Sequence, residues 1–227
     1  MVTRPAHPPR SPAPRRPRPT LTPASILQAA LDLVAEDGLA AFSTRRLGQR
    51  LGCEAMSIYH HYPSKHHLLD AMVDHAVGSM AWPAADLPPR DRLRQAMYAY
   101  REMAHRWPAL FPLVAVHRLN TPTGVRFIET VLSLVQAVVP DAELAARHFR
   151  TLGYFLVGAA LDETSGYARG PSAAEPVDGA YIARECPRLA SSAPYFQSSQ
   201  WDATFELGAQ ALLDAMTRDA GRVRRST

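Results

Sequence analysis

Between Ser43 and Tyr62 the chain reads STRRLGQRLGCEAMSIYHHY, and this stretch constrains the fold more than any other. Ser43-Thr44 offers a helix cap, Leu47 and Leu51 form the apolar face of barely two turns, and Gly52 supplies a stop. A third helix, Glu54 to His61, follows almost at once. Helices this short are marginal in isolation, so longer neighbours must bury them. Such neighbours flank both ends. Upstream, Thr22-Pro23 caps a helix carrying Ile26, Leu27, Ala30, Leu31 and Val34 and closing at Asp37-Gly38. Downstream, Pro63-Ser64 opens another with Leu68, Leu69, Met72, Val73 and Ala76 on one face. Two short helices joined by a tight glycine-containing turn and packed on a longer one define a helix-turn-helix.

The rest of the chain shows only helical periods. After a loop at Trp82 to Pro89, Leu93, Met97, Tyr100 and Met103 form one stripe. Thr121-Pro122 caps a helix with Phe127, Ile128, Val131, Leu132, Val135 and Val138, ending before Pro140. Asp141 caps a long helix to about Ala168, residues 169–180 read as loop, and a last helix runs from Ser199 to Thr217. No alternating strand pattern stands out, so the expected fold is all-α. The expected organisation is an Arg- and Pro-rich arm at 1–19, a helix-turn-helix unit at 20–80 and a larger helical unit at 88–220.

Charge must be read by position. Residues 1–19 hold Arg4, Arg10, Arg15, Arg16 and Arg18 with no acid, which leaves the remainder of a +4 chain at −1. Seven prolines in that arm leave nothing to build a core, so it is expected to be extended and disordered. The arm has no apolar run of a secretory signal. The longest apolar stretches, such as Leu110 to Val116, fall far short of the roughly 18 residues of a membrane span. Cys53 and Cys186 make no disulfide framework. A cytoplasmic protein without membrane partners is therefore expected.

On the neutral body, the helix-turn-helix is locally positive. Arg45 and Arg46 lie in the first turn of the second helix and Lys65 in the first turn of the fourth. Cations there oppose the helix dipole at about 0.3–1 kcal/mol each. An external phosphate would reverse that cost. From Ser43 to His67 only Glu54 offsets Arg45, Arg46, Arg50 and Lys65. Asp32, Glu36, Asp37, Asp70 and Asp74 are expected to point away from this face. His60, His61, His66 and His67 tempt a metal reading, but adjacent helical residues diverge and the pairs flank a Pro-Ser turn.

Residues 22–76 closely resemble the DNA-binding domain of the TetR/AcrR family of bacterial transcriptional regulators. The matching elements are the capped first helix ending at Asp37-Gly38, then Ser43-Thr44-Arg45-Arg46-Leu47, Leu51-Gly52, Ile58-Tyr59-His60-His61-Tyr62-Pro63-Ser64-Lys65 and Leu68-Leu69. Gly48 stands where the family usually has alanine, and Cys53 where it usually has valine or isoleucine; both are packing positions. The resemblance implies that Thr44, Tyr59, His61 and Lys65 hold phosphates and that Arg45 reaches a guanine through its forked donors. It also implies that Ala55, Met56, Ser57 and His60 present to the major groove, while Tyr62 packs inward. A homodimer on a palindromic double-stranded operator follows, since one helix-turn-helix reads about half a site.

The C-terminal half resembles the family more weakly. By that resemblance it holds a small-molecule effector between helices, with Tyr100, Met103, Trp107, Phe111, His117, Thr121, Phe127 and Tyr154 as candidate contacts, though core packing explains any one of them. Val116-His117-Arg118-Leu119-Asn120-Thr121-Pro122 and Gly158-Ala159-Ala160-Leu161-Asp162-Glu163 resemble segments that handle a magnesium-bound drug in tetracycline repressors. His117, Asp162 and Glu163 are then candidate metal ligands, against a favoured reading of His117 as a satisfied helix-end histidine. No cofactor is required; a magnesium-chelated ligand is the disfavoured alternative. The chain lacks G-x-S-x-G, H-E-x-x-H and paired-cysteine patterns, so no enzyme is expected and no catalytic residue is named. The reading is a regulator, a repressor released by its ligand. Its alternative is a ligand-independent architectural protein that uses the basic arm.

Overall fold

The computed structural model describes residues 21–165 and 173–226, with side chains to residue 223. The arm expected at 1–19 lies outside the described residues. Among those described, every regular element is helical. The order is α1 (Pro23–Asp37), α2 (Thr44–Leu51), α3 (Ala55–Tyr59), α4 (Lys65–Gly78), α5 (Pro89–Arg106), α6 (Phe111–Val116), α7 (Pro122–Val138), α8 (Ala142–Thr164), α9 (Gly179–Glu185), α10 (Pro187–Ser192) and α11 (Trp201–Ser226).

Caps set the starts. Thr22 and Ser25 form a reciprocal capping box, with Thr22 Oγ1 accepting from the Ser25 amide at 3.1 Å and Ser25 Oγ accepting from the Thr22 amide at 3.0 Å. Ser43, Ser64, Thr121 and Asp141 likewise cap α2, α4, α7 and α8 through their side chains. Gly52 ends α2 at φ +65°, the left-handed conformation that glycine adopts without steric cost. Gly48 has a different duty. A Cβ there would lie 2.8 Å from the Cys53 carbonyl oxygen, while the Cys53 amide donates to the Gly48 carbonyl at 2.9 Å. Helix α2 and the turn after it close on each other because this side chain is missing.

Two apolar cores stabilise the molecule. The first joins Ile26, Leu31, Leu47, Ile58, Leu68 and Met72 of α1–α4 to Met103, Phe111 and Val114. The helix-turn-helix thus shares its core with α5 and α6. The second fills the space between α5, α7, α8 and α11 with Leu93, Met97, Val135, Leu152, Phe205 and Leu213. Helix α4 also packs on α6 and α7, a further contact between the N-terminal unit and the rest.

Several boundaries differ from those read in the sequence. Helix α3 stops at Tyr59 rather than His61, and α11 extends to Ser226, past Thr217. Helix α8 ends at Thr164; residues 166–168 lie outside the described set. Short α6 was not anticipated, because Pro108 stands just before it and Pro112 in its first turn. Helices α9 and α10 occupy residues expected as loop or left unassigned; they bury no residue, so no apolar stripe betrays them.

Candidate nucleic-acid interface and ligand cavity

The surface formed by α2, α3 and the start of α4 is built from a few anchoring bonds. Thr44 and Tyr59 hydroxyls lie 3.2 Å apart, tying the first turn of α2 to the end of α3. Ile58 is buried, and Tyr62 turns inward as expected, its hydroxyl donating to the Pro23 carbonyl at 3.1 Å. These contacts fix one side of α3. On the other, Met56 is 64% exposed, His60 and His61 are exposed, and Ala55 and Ser57 are half-buried. Met56 thus leaves apolar surface in water on the solvent side of α3.

Lys65 stands at the start of α4, donating to the Phe42 carbonyl at 3.2 Å with its ammonium 5.4 Å from the Phe42 ring centroid. Arg45 is exposed and forms no ion pair among the described residues. The remaining cations correct the sequence reading. Arg46 binds Asp37 at 2.6 Å, and Arg50 binds Glu36 at 2.6 Å with Asp32 4.0 Å away. The hydrogen-bonded Arg50 guanidinium holds the Glu36 carboxyl below the usual carboxylate range. The acids of α1 therefore do not point away from this face; they neutralise two of its four cations. Spacing along one helix does not show which side chains meet across two, so this pairing was hidden.

Behind this unit lies a cavity of about 610 Å³, walled by α5, α7, α8, the end of α4 and the α6–α7 connection. Its size is in the range of sites that hold small molecules. Tyr100, His117, Phe127 and Tyr154 line it. Met103 and Phe111 do not. Both are buried in the first core, packed among the helix-turn-helix residues. Trp107 also lies off the wall, its indole N–H donating to Ser79 Oγ at 3.2 Å. Thr121 is spent as the cap of α7 and as a donor to Asp74 of α4. Arg118 and Arg150 line the cavity and were missed. Arg150 stands four residues before Tyr154, so helical spacing alone puts the two on one face.

The cavity wall touches α4 directly. His117 Nε2 and Asp70 Oδ1 are 2.7 Å apart, the imidazole ring of His66 lies 5.7 Å from that of His117, and Thr121 holds Asp74 one turn further along α4. Burial pushes the Tyr100 phenol up to about 12, so it stays neutral and able to donate.

The candidate metal ligands do not assemble. His117 is engaged by Asp70, whereas Glu163 is buried under Arg101 Nε at 2.7 Å and His105 Nε2 at 2.6 Å; Asp162 is exposed. Among the described residues no three His, Cys, Asp or Glu side chains converge on a metal position. The residues present thus do not fit a magnesium centre within one chain.

Residues 26–72 match the family described as bacterial regulatory proteins, tetR family, and residues 85–219 match the tetracyclin repressor-like, C-terminal domain. This chain belongs to the TetR family. The regulator is 29% identical to the tetracycline repressor protein class A from transposon 1721 of Escherichia coli, over 87% of this chain and 91% of that one. It is 32% identical to an HTH-type transcriptional regulator of Saccharopolyspora erythraea, over 91% of this chain and 89% of that one. Among solved structures, Streptomyces coelicolor ActR in complex with actinorhodin superposes with a TM-score of 0.72, covering 89% of this chain and 100% of that one. At 24% identity that likeness speaks to the fold alone. No single described helix of the regulator is long and apolar enough to cross a membrane.

Proposed function

We propose that this TetR-family regulator is a cytoplasmic repressor that binds a palindromic operator as a homodimer and leaves it when a small molecule enters the cavity. One observation carries the reading. His117, a wall residue, is hydrogen-bonded to Asp70 on α4, the helix that begins with Lys65 beside the exposed face of α3. A ligand that competes for His117 acts on the helix that positions the DNA-facing surface. The coupling requires a ligand with different affinities for the two arrangements. Thr44, Arg45, Tyr59, His61 and Lys65 take the backbone and guanine roles, and Ala55, Met56, Ser57 and His60 face the bases. The working units are residues 20–80 and 88–220.

For the dimer, α8 and α11 present exposed Tyr154 and Leu207, the latter 74% accessible. Gly208 lets α11 approach α8 so closely that a Cβ would meet the Phe155 ring. Two copies paired there would address half-sites roughly 34–36 Å apart or a multiple of that. The name of the tetracycline repressor relative supports repression. The test is selection of bound sequences from random duplexes, with the whole chain and with a chain beginning at Thr20. A shared palindrome is expected. Loss of all binding with residues 1–19, and no enriched motif, would replace the proposal with the architectural alternative.

A further inference from the structure

The cavity is asymmetric in charge. Its deep wall is apolar or aromatic, with Leu93, Met97, Phe127, Val131, Phe149 and Leu152 among its residues. No carboxylate lines it, yet Arg118 and Arg150 do, and both are exposed in the single chain, which puts them at the rim of the cavity. Neither arginine forms an ion pair among the described residues. The Arg150 guanidinium lies over the Tyr154 ring at 5.2 Å and donates to its hydroxyl at 3.3 Å. Asp70, which meets the wall residue His117, is held by it. Two cations beside low-dielectric walls focus a positive field on the entrance. That field favours an anion and opposes a cation of equal size.

Resting on the reading of this cavity as the effector site, we infer that the effector is a ring-bearing apolar organic acid. Its anionic group pairs with Arg118 and Arg150, and its body lies among Tyr100, Phe127 and Phe149. Arginine suits a carboxylate because its forked donors match two oxygens. The neutral Tyr100 phenol adds a donor in the interior for a ring oxygen, and no protein hydrogen bond to that hydroxyl competes among the described residues. A polar sugar or a polyamine would leave its own hydrogen-bonding groups unmatched against the deep wall.

The experiment compares anthraquinone-2-carboxylate with anthraquinone-2-carboxamide, which share a ring system and differ in charge. Binding is read by calorimetry on the full chain at near-neutral pH without DNA. The carboxylate is expected to bind about tenfold more tightly, which corresponds to about 1.4 kcal/mol. In the variant R118Q/R150Q the ratio of the two affinities should fall to about one. The wild-type comparison stands by itself should that variant prove unstable. Equal or weaker binding of the carboxylate, a preference that survives both substitutions, or no binding of either compound overturns the inference. Because no DNA is present, a negative result leaves operator binding to the selection assay, and a failed selection leaves this comparison intact.

Discussion

Neutralisation of Arg46 and Arg50 by the acids of α1 sets the salt dependence of operator binding. Each phosphate neutralised by a protein cation contributes roughly −0.9 to the slope of log K against log salt. With Arg45 turned to a guanine, Lys65 is the phosphate contact unpaired by an acid, and a dimer brings two such cations and a slope of roughly −1.8. Had Arg46 and Arg50 of each protomer also reached phosphates, the slope would be roughly −5.4. Between about 50 and 200 mM salt the first value loses roughly tenfold in affinity and the second roughly two-thousandfold. The assay is fluorescence anisotropy of a labelled operator with the chain beginning at Thr20, so that the arginines of the arm add nothing. It is run at about pH 8, above the ordinary histidine range. Substituting Asp32→Asn, Glu36→Gln and Asp37→Asn together removes the competing carboxylates, and the slope should steepen toward roughly −5.4. A wild-type slope already at about −5.4, or one that the substitutions leave unchanged, would refute the claim that these acids withhold Arg46 and Arg50.

Other consequences are as direct. Gly48→Ala places a methyl against the Cys53 carbonyl and should cost about 1–3 kcal/mol in urea unfolding, although alanine is the family's usual residue; an unchanged midpoint would show that the turn relaxes freely. Phe111→Ala empties a fully buried site and should cost about 3–5 kcal/mol, while Tyr154→Ala, 68% exposed in the single chain, should leave monomer stability within about 0.5 kcal/mol. Asp70→Asn should preserve operator affinity more than it preserves release by an effector; equal losses would show that the His117 bond is merely structural. Tyr100 keeps its proton to about pH 12 when folded and loses it near 10 when unfolded, so its contribution to stability is full below 10 and is lost as pH rises toward 12. Tyr100→Phe should therefore flatten the alkaline fall in melting temperature across that window.

Much of the N-terminal unit was legible because its signals are local. Caps such as Thr22 and Ser43, the stop at Gly52 and the helical spacing of Leu68 and Met72 all act within a few residues, and the structure realises each. The cavity was harder to read. Tyr100 and Phe127 line it, while Met103 and Phe111, equally apolar and equally helical in context, are packed in the adjoining core. Apolar character does not reveal whether a side chain meets a protein atom or an empty volume. That depends on which helices cross, as at Gly208 and Phe155, and crossing is a property of the assembled bundle. Helices α9 and α10 escaped for the opposite reason: with nothing buried, they carry no period to read.

Helix α3 gives the core one fully buried side chain, Ile58, and begins without a side-chain cap. Its neighbours hold it from outside, through the Thr44–Tyr59 and Tyr62–Pro23 bonds. Residues 55–57 and His60 are thereby free to change with little penalty in folding. Duplicated copies of such a gene can drift in which promoters they recognise while every intermediate still folds. The proposed reading surface is the part of this molecule that can be edited at least cost, and a few anchors beneath it keep that freedom safe.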